Sequence, residues 1–122
     1  MAEPAKHKRY EIGEWSEATE PAWWARLYVG GNRQAAEMAC RAACFPSGLC
    51  VTLDETTYIF GGGTEPGVCI GLIQYPPFPE QVGMLRARAI TLGMAVAEAS
   101  SQWSFTIVTP TENIFYSRRN QC

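Results

Sequence analysis

Cysteines are the first residues of this sequence that could do chemistry. There are five, at Cys40, Cys44, Cys50, Cys69 and Cys122. Zinc would be a natural metal for such a set, but structural zinc sites normally contain a Cys-x-x-Cys pair, and the sequence has none. A free cysteine is also readily buried as a small hydrophobic residue. The pattern therefore predicts reduced cysteines, with no metal site and no cofactor.

A catalytic base is the second requirement for nucleophilic chemistry. The single histidine is His7. It falls in a polar segment that we expect to be a flexible tail, whereas a catalytic base must be held in place. The carboxylates, such as Asp54 and Glu55, have no sequence context that would raise a pKa for acid–base work. We therefore predict no catalytic residues, and an enzyme is the least favoured class.

One glycine-rich segment offers a site for an anion. Gly30, Gly31, Asn32 and Arg33 lead from a predicted strand into a predicted helix, whose free N–H groups attract negative charge. Ordinary helix capping by Asn32 explains the same residues equally simply. A small-ligand or nucleotide binder is therefore the alternative function, with its site between these four residues and the extended segment Tyr75 to Pro79.

Aromatic residues suggest a surface for a protein partner. Trp23 and Trp24 are adjacent on a predicted strand, so their side chains point to opposite faces of a sheet. Two helices cannot cover both faces, and Trp, Tyr and Arg are enriched at binding hot spots. The predicted partner-binding residues are Trp23, Trp24, Tyr28, Tyr75, Phe78, Arg118 and Arg119.

Length and charge narrow the class of protein. The chain has 122 residues, with ten Lys and Arg against twelve Asp and Glu, which fits one domain without the basic excess of a nucleic-acid binder. The first residues are polar, and no apolar run reaches the length of a membrane span. We therefore expect a cytoplasmic protein that binds neither nucleic acid nor a membrane.

Hydrophobic periodicity places these residues on an α+β domain. An apolar stripe predicts a helix that starts at Pro79 and runs to about Ser100, and a second helix is predicted from Arg33 to Phe45, where Arg33, Glu37 and Arg41 are spaced four apart. A tight turn is predicted at Glu55-Thr56, and a loop over residues 16–21. The predicted strands cover residues 9–15, 23–29, 49–54, 57–60, 68–75, 103–109 and 113–118.

The order of these elements repeats. Residues 23–60 and 68–118 both read as strand, helix and hairpin, and Cys50 to Phe60 lies against Phe105 to Phe115 at a constant offset, which makes an internal duplication possible. The predicted fold is therefore α+β: a mostly antiparallel sheet built from two βαββ-like modules, with two helices packed on it. The predicted domain spans residues 9–119, between a flexible tail at 1–8 and a flexible end at 120–122.

The function predicted from the sequence follows from these observations. A complete fold in few residues, the missing catalytic set and aromatic residues on both sheet faces indicate a protein–protein interaction module that is not an enzyme. We expect it to be a homodimer that binds a protein partner, in the manner of a phage or bacterial accessory or inhibitor protein.

Overall fold

The computed structural model describes residues 8–118. Predictions for His7, Arg119, Cys122 and most of the two tails lie outside this range. In chain order the elements are β1 (Lys8–Ile12), β2 (Trp15–Thr19), β3 (Trp24–Gly30), α1 (Arg33–Ser47), β4 (Thr52–Phe60), β5 (Gly63–Ile73), α2 (Val82–Ala99), β6 (Ser104–Val108) and β7 (Asn113–Ser117).

Five of the strands form one antiparallel sheet. Its order is β4-β5-β3-β6-β7, and β1 and β2 form a separate two-stranded sheet. From β3 to β6 the chain runs βαββαβ with β3 and β5 at the centre, which is the ferredoxin-like arrangement, and β7 extends the sheet at one edge. Both helices pack on the sheet and on each other. The α+β class predicted from the sequence is therefore confirmed.

The core lies between the helices and one face of the sheet. On β3 the buried residues alternate, with Ala25, Leu27 and Val29 at most 1% exposed, because successive side chains of a strand point to opposite faces. The predicted stripe on α2 is buried at Leu85, Ala89, Leu92 and Val96. The residues that recur every two positions on β3 and every three to four positions on α2 therefore belong to one core.

Both ends of α1 follow from local sequence. The Asn32 side chain accepts a hydrogen bond from the Ala35 N–H at 3.0 Å, which is the predicted N-cap. The helix ends at Gly48, whose φ of 73° is the left-handed conformation that glycine adopts without strain. Glu37 bridges Arg33 and Arg41 at 2.6 and 2.8 Å, as their spacing predicts.

The predicted turn at Glu55-Thr56 is wrong. These residues lie within β4, which runs unbroken from Thr52 to Phe60, because β-branched and aromatic side chains around them favour a strand. The chain reverses instead at Gly61 and Gly62, between β4 and β5. Residues 50–60 are therefore not a hairpin like residues 105–115, and this match gives the proposed duplication no support.

The segment predicted as a loop before β3 forms a strand in the structure. Residues 16–19, predicted as a loop, belong to β2, which pairs with β1 around a turn where Gly13 has a φ of 62°.

Neither α1 nor α2 is long and apolar enough to cross a membrane, and the same holds throughout residues 8–118. The cytoplasmic location stays a prediction.

Candidate functional site

A cavity of about 880 Å³ opens between the N-terminus of α1 and the β4–β5 hairpin. We call it the α1 groove. The residues that line it are Gly31, Asn32, Arg33, Gln34, Glu37, Glu55, Thr56, Thr57, Pro66 and Gly67. Its volume lies within the range of small-molecule sites.

The floor of the α1 groove is set by strand pairing. Gly30 at the end of β3 pairs with Gly67 on β5, and the Gly31 N–H donates to the Pro66 carbonyl at 2.9 Å. Gly31 has a φ of 109°, and a Cβ there would lie 2.7 Å from Ser100 Cβ. Only glycine suits this position, because any other side chain would meet both backbone strain and a clash.

The two walls of the groove differ in charge. On the α1 side, the N–H groups of Arg33 and Gln34 belong to the first helical turn and have no carbonyl partner within the helix. On the β4 side, Glu55 makes no ion pair with any side chain that the structure describes. The groove therefore presents hydrogen-bond donors at the positive end of a helix opposite a carboxylate. This arrangement suits a ligand that carries both an anionic and a cationic group.

Arg33 and Glu37 are already partners within the groove. Hydrogen bonds from Arg41 and Arg33 lower the pKa of the Glu37 carboxyl below its usual value. The Arg33 side chain remains 45% exposed, so it can still contact a ligand. Glu55 is therefore the carboxylate on this surface that is left for a ligand cation.

Three of the four described thiols are poor nucleophiles. Burial raises the pKa of Cys40 to about 11, and burial also raises the pKa of Cys44 and of Cys69. These three thiols are protonated near pH 7, whereas the reactive form is the thiolate. Within residues 8–118 no group of three His, Cys, Asp or Glu side chains is placed to hold a metal ion.

The structure brings the predicted anion-binding residues together at one site, but the segment that faces them is not the predicted one. Gly31, Asn32 and Arg33 line the α1 groove, while Gly30 lies beside it, packed against Glu65 and Gln102. The segment from Tyr75 to Pro79 does not face them, contrary to the sequence prediction.

The reason is the antiparallel pairing of β3 with β5. It sets Ile73 beside Trp24, so the segment after β5 lies at the opposite end of β3 from Gly30. The lining residues that sequence reasoning missed are Gln34 and Glu37 on α1, and Glu55, Thr56, Thr57, Pro66 and Gly67 on the β4–β5 hairpin. The βαββαβ order would have predicted the hairpin residues, because this order places the β4–β5 hairpin beside α1.

The predicted partner-binding residues lie in different places. Trp23 is only 8% exposed, since it lies on the face that the helices cover, and its predicted role in partner binding is therefore wrong. Trp24 and Tyr28 are half-buried on the other face, where Arg26 lies 5.6 Å from the Trp24 ring. Tyr75 and Phe78 contact each other near that end of β3, with ring centroids 5.9 Å apart.

Arg118 belongs to a second cavity, of about 210 Å³, between the C-terminal half of α2 and the β6–β7 hairpin. We call it the aromatic pocket. The Phe105 and Tyr116 rings stack there at 5.2 Å, and the Arg118 guanidinium lies 5.4 Å from the Trp103 ring. The residues that line it are Met94, Ala97, Glu98, Trp103, Phe105, Tyr116, Ser117 and Arg118. Their alternation on the predicted closing hairpin was the signal that sequence reasoning left unused.

Comparison with solved structures finds the same fold in enzymes. A phage SAM lyase in its apo state matches with a TM-score of 0.66 and 16% identity, over 78% of this chain and 88% of that one. A phage SAM lyase in complex with S-methyl-5'-thioadenosine matches with a TM-score of 0.58 and 16% identity, over 79% and 89% of the two chains. No protein-family model and no curated protein matches the sequence.

These neighbours overturn the functional prediction. The sequence indicated an interaction module that is not an enzyme, and that prediction is wrong, because both structures are of an enzyme. Their phage origin agrees with the phage part of the prediction. Neither structure bears on the protein partner or on the homodimer, which stay predictions.

Proposed function

We propose that this protein is an enzyme that binds S-adenosylmethionine in the α1 groove and cleaves it, as a SAM lyase does. The observation that carries the proposal is the likeness of fold to a phage SAM lyase, which extends over 78% of this chain. The α1 groove supplies a second argument, since its charges fit this substrate.

S-Adenosylmethionine ends in an arm that carries both signs of charge. Its sulfonium and ammonium groups are cations, and its carboxylate is an anion. The carboxylate suits the N–H groups at the start of α1, where a helix terminus favours negative charge. The cationic groups suit Glu55 on the opposite wall. Two fixed contacts of this kind would orient the arm, and orientation alone can supply a large part of a rate enhancement.

The chemistry of a sulfonium explains how so small a set of residues can serve. When the bond between the arm carbon and sulfur breaks, its electron pair goes to sulfur and a neutral thioether, S-methyl-5'-thioadenosine, leaves without needing a proton. The arm replaces the lost pair from its own carboxylate, closing a lactone, or from a C–H bond, losing a proton. In the first case no nucleophile from the protein takes part, so the raised pKa values of Cys40, Cys44 and Cys69 are no obstacle.

The test is a direct assay of this reaction. Purified protein is incubated with S-adenosylmethionine, and both S-methyl-5'-thioadenosine and the product of the arm are quantified by liquid chromatography and mass spectrometry. No S-methyl-5'-thioadenosine above the protein-free rate would refute the proposed activity.

A pair of variants on β4 tests the site. Removing the charge by Glu55→Gln should lower kcat/KM about tenfold or more, as expected for a lost charge-assisted hydrogen bond. Asp54→Asn is the matched control, because Asp54 is exposed on the same strand, directly before Glu55, and points to the other face of the sheet. Equal activity of the two variants would place the reaction outside the α1 groove.

A further inference from the structure

We infer that the aromatic pocket is a binding site for a purine base. The inference goes beyond the proposed function, because it assigns a base to a second cavity, and base binding can be measured without any turnover. It begins with what the α1 groove lacks: none of the described residues that line that groove is aromatic. The groove therefore offers no ring on which a base could stack.

The aromatic pocket has the shape and surface for such a ring. Its volume of about 210 Å³ suits a bicyclic base better than a whole nucleotide. Its exposed surface is formed by the Trp103 ring, the Met94 thioether and the half-buried Tyr116 ring, which stacks on the buried Phe105 ring. Aromatic side chains of this kind bind bases by stacking, because every base has a π-face.

Two polar groups at the rim favour a purine over a plain hydrocarbon ring. The Arg118 guanidinium donates to the Gln102 carbonyl, which holds it near the Trp103 ring, so it is placed to donate to ring nitrogens or to stack on the base. The Glu98 side chain is 74% exposed and lies 3.9 Å from Arg118. Its carboxylate can accept a hydrogen bond from an exocyclic amino group. A guanidinium donor beside a carboxylate acceptor is complementary to the edge of adenine, where ring nitrogens accept and the 6-amino group donates.

The aromatic pocket is a separate cavity from the α1 groove, because the groove lies beside β4 and the pocket beside β7, the two edge strands of the sheet. Gly31, which lines the α1 groove, packs against Ser100, and Gly30 packs against Gln102. Ser100 and Gln102 belong to the connection that leads from α2 to Trp103. The two cavities therefore lie at the same end of the sheet but toward opposite edges, and the two edge strands are about 19 Å apart. The cavity that contains Trp24 and Tyr75 lies at the far end of β3.

The test is calorimetric titration of the whole protein with adenosine, using uridine and inosine as comparison ligands. Adenosine should bind, uridine should bind more weakly because its single ring buries less surface, and inosine should bind more weakly because it replaces the 6-amino group with oxygen. Glu98→Gln should remove the preference for adenosine over inosine. Equal binding of adenosine and uridine, or no binding of adenosine at millimolar concentration, would overturn the inference.

Two tryptophan variants on α2 place the base in the structure. Met94 and Met84 are 51% and 53% exposed on the same helix, but only Met94 lines the aromatic pocket. Met94→Trp should fill the pocket and weaken adenosine binding about tenfold, the loss of one stacked base, while Met84→Trp should leave it unchanged. Unchanged binding in Met94→Trp, with the fold verified by circular dichroism, would refute the site.

These outcomes are separable from those of the lyase assay. Adenosine binding that is lost in Met94→Trp, together with no cleavage of S-adenosylmethionine, would support the base site and refute the proposed function. Cleavage of S-adenosylmethionine, together with adenosine binding that is unchanged in Met94→Trp, would support the function and refute the base site.

Discussion

Gly93 is the position where the structure makes its sharpest prediction about packing. It is buried in α2, and a Cβ there would lie 2.3 Å from Phe105 Cε2 and 2.8 Å from two more atoms of the same ring. The ring is only 5% exposed and stacks on Tyr116, so it cannot move without disturbing the core and the aromatic pocket. Gly93→Ala should therefore overpack this contact at a cost of about 1–3 kcal/mol.

A second glycine on the same helix provides the control. A Cβ at Gly83 would meet no neighbouring side chain or strand within 4 Å, so Gly83→Ala should only gain helix propensity, up to about 1 kcal/mol. Because Gly93→Ala has a similar gain, its net destabilisation should be about 0–2 kcal/mol relative to wild type. The two variants should differ by about 1–3 kcal/mol.

Urea denaturation of both variants beside wild type measures this difference as a shift of the midpoint at constant slope. Thermal unfolding provides a second readout, at about 3–6 °C per kcal/mol for a domain of this size. If Gly93→Ala were as stable as Gly83→Ala, then Phe105 would not pack against α2 as described, and the aromatic pocket would lose one of its walls.

Two further predictions concern α1. Asn32→Ala removes the hydrogen bond to the Ala35 N–H and should lower the free energy of unfolding by about 1 kcal/mol in urea denaturation. Asn32→Asp, which keeps an acceptor, should stay near wild type, and equal loss in both would contradict capping. The pKa of Glu37 is lowered by Arg41 and Arg33, so its stabilisation is present above the unfolded value of 4.5 and is lost as pH falls through the folded value. The Tm difference between wild type and Glu37→Gln should therefore shrink as the pH falls from 7 to 3. It should also shrink at high salt, because the ion pairs of Glu37 with Arg33 and Arg41 are exposed.

Local periodicity explains why much of the fold was predictable. The alternation on β3, the stripe on α2 and the cap at Asn32 depend on neighbours only a few residues away, and each prediction was confirmed. The turn at residues 55–56 failed because a threonine-rich stretch has no local feature that forces reversal. The chain reverses instead at Gly61 and Gly62, because glycine is a residue type that permits a tight turn.

The candidate site was less predictable because it depends on which strands become neighbours. Gly31, Asn32 and Arg33 were found from the sequence, but Glu55 was not, since it is brought to them only by the pairing of β4 with β5. The prediction of a non-enzyme rested on the lack of a nucleophile and a base. That criterion fails where a substrate carries its own leaving group and its own electron pair, as a sulfonium compound can.

The central place of β3 in the sheet has a consequence for biosynthesis. Arg26 to Tyr28 pair on one side with β5 and on the other with β6, as far along the chain as Val108. On the ribosome this strand emerges before its last partner, which follows about 4–16 s later at ordinary rates of translation. During that interval one edge of the strand is open to pairing with other chains. A nascent polypeptide of this kind therefore gains from a chaperone, or from rapid completion of synthesis, before it can close its sheet.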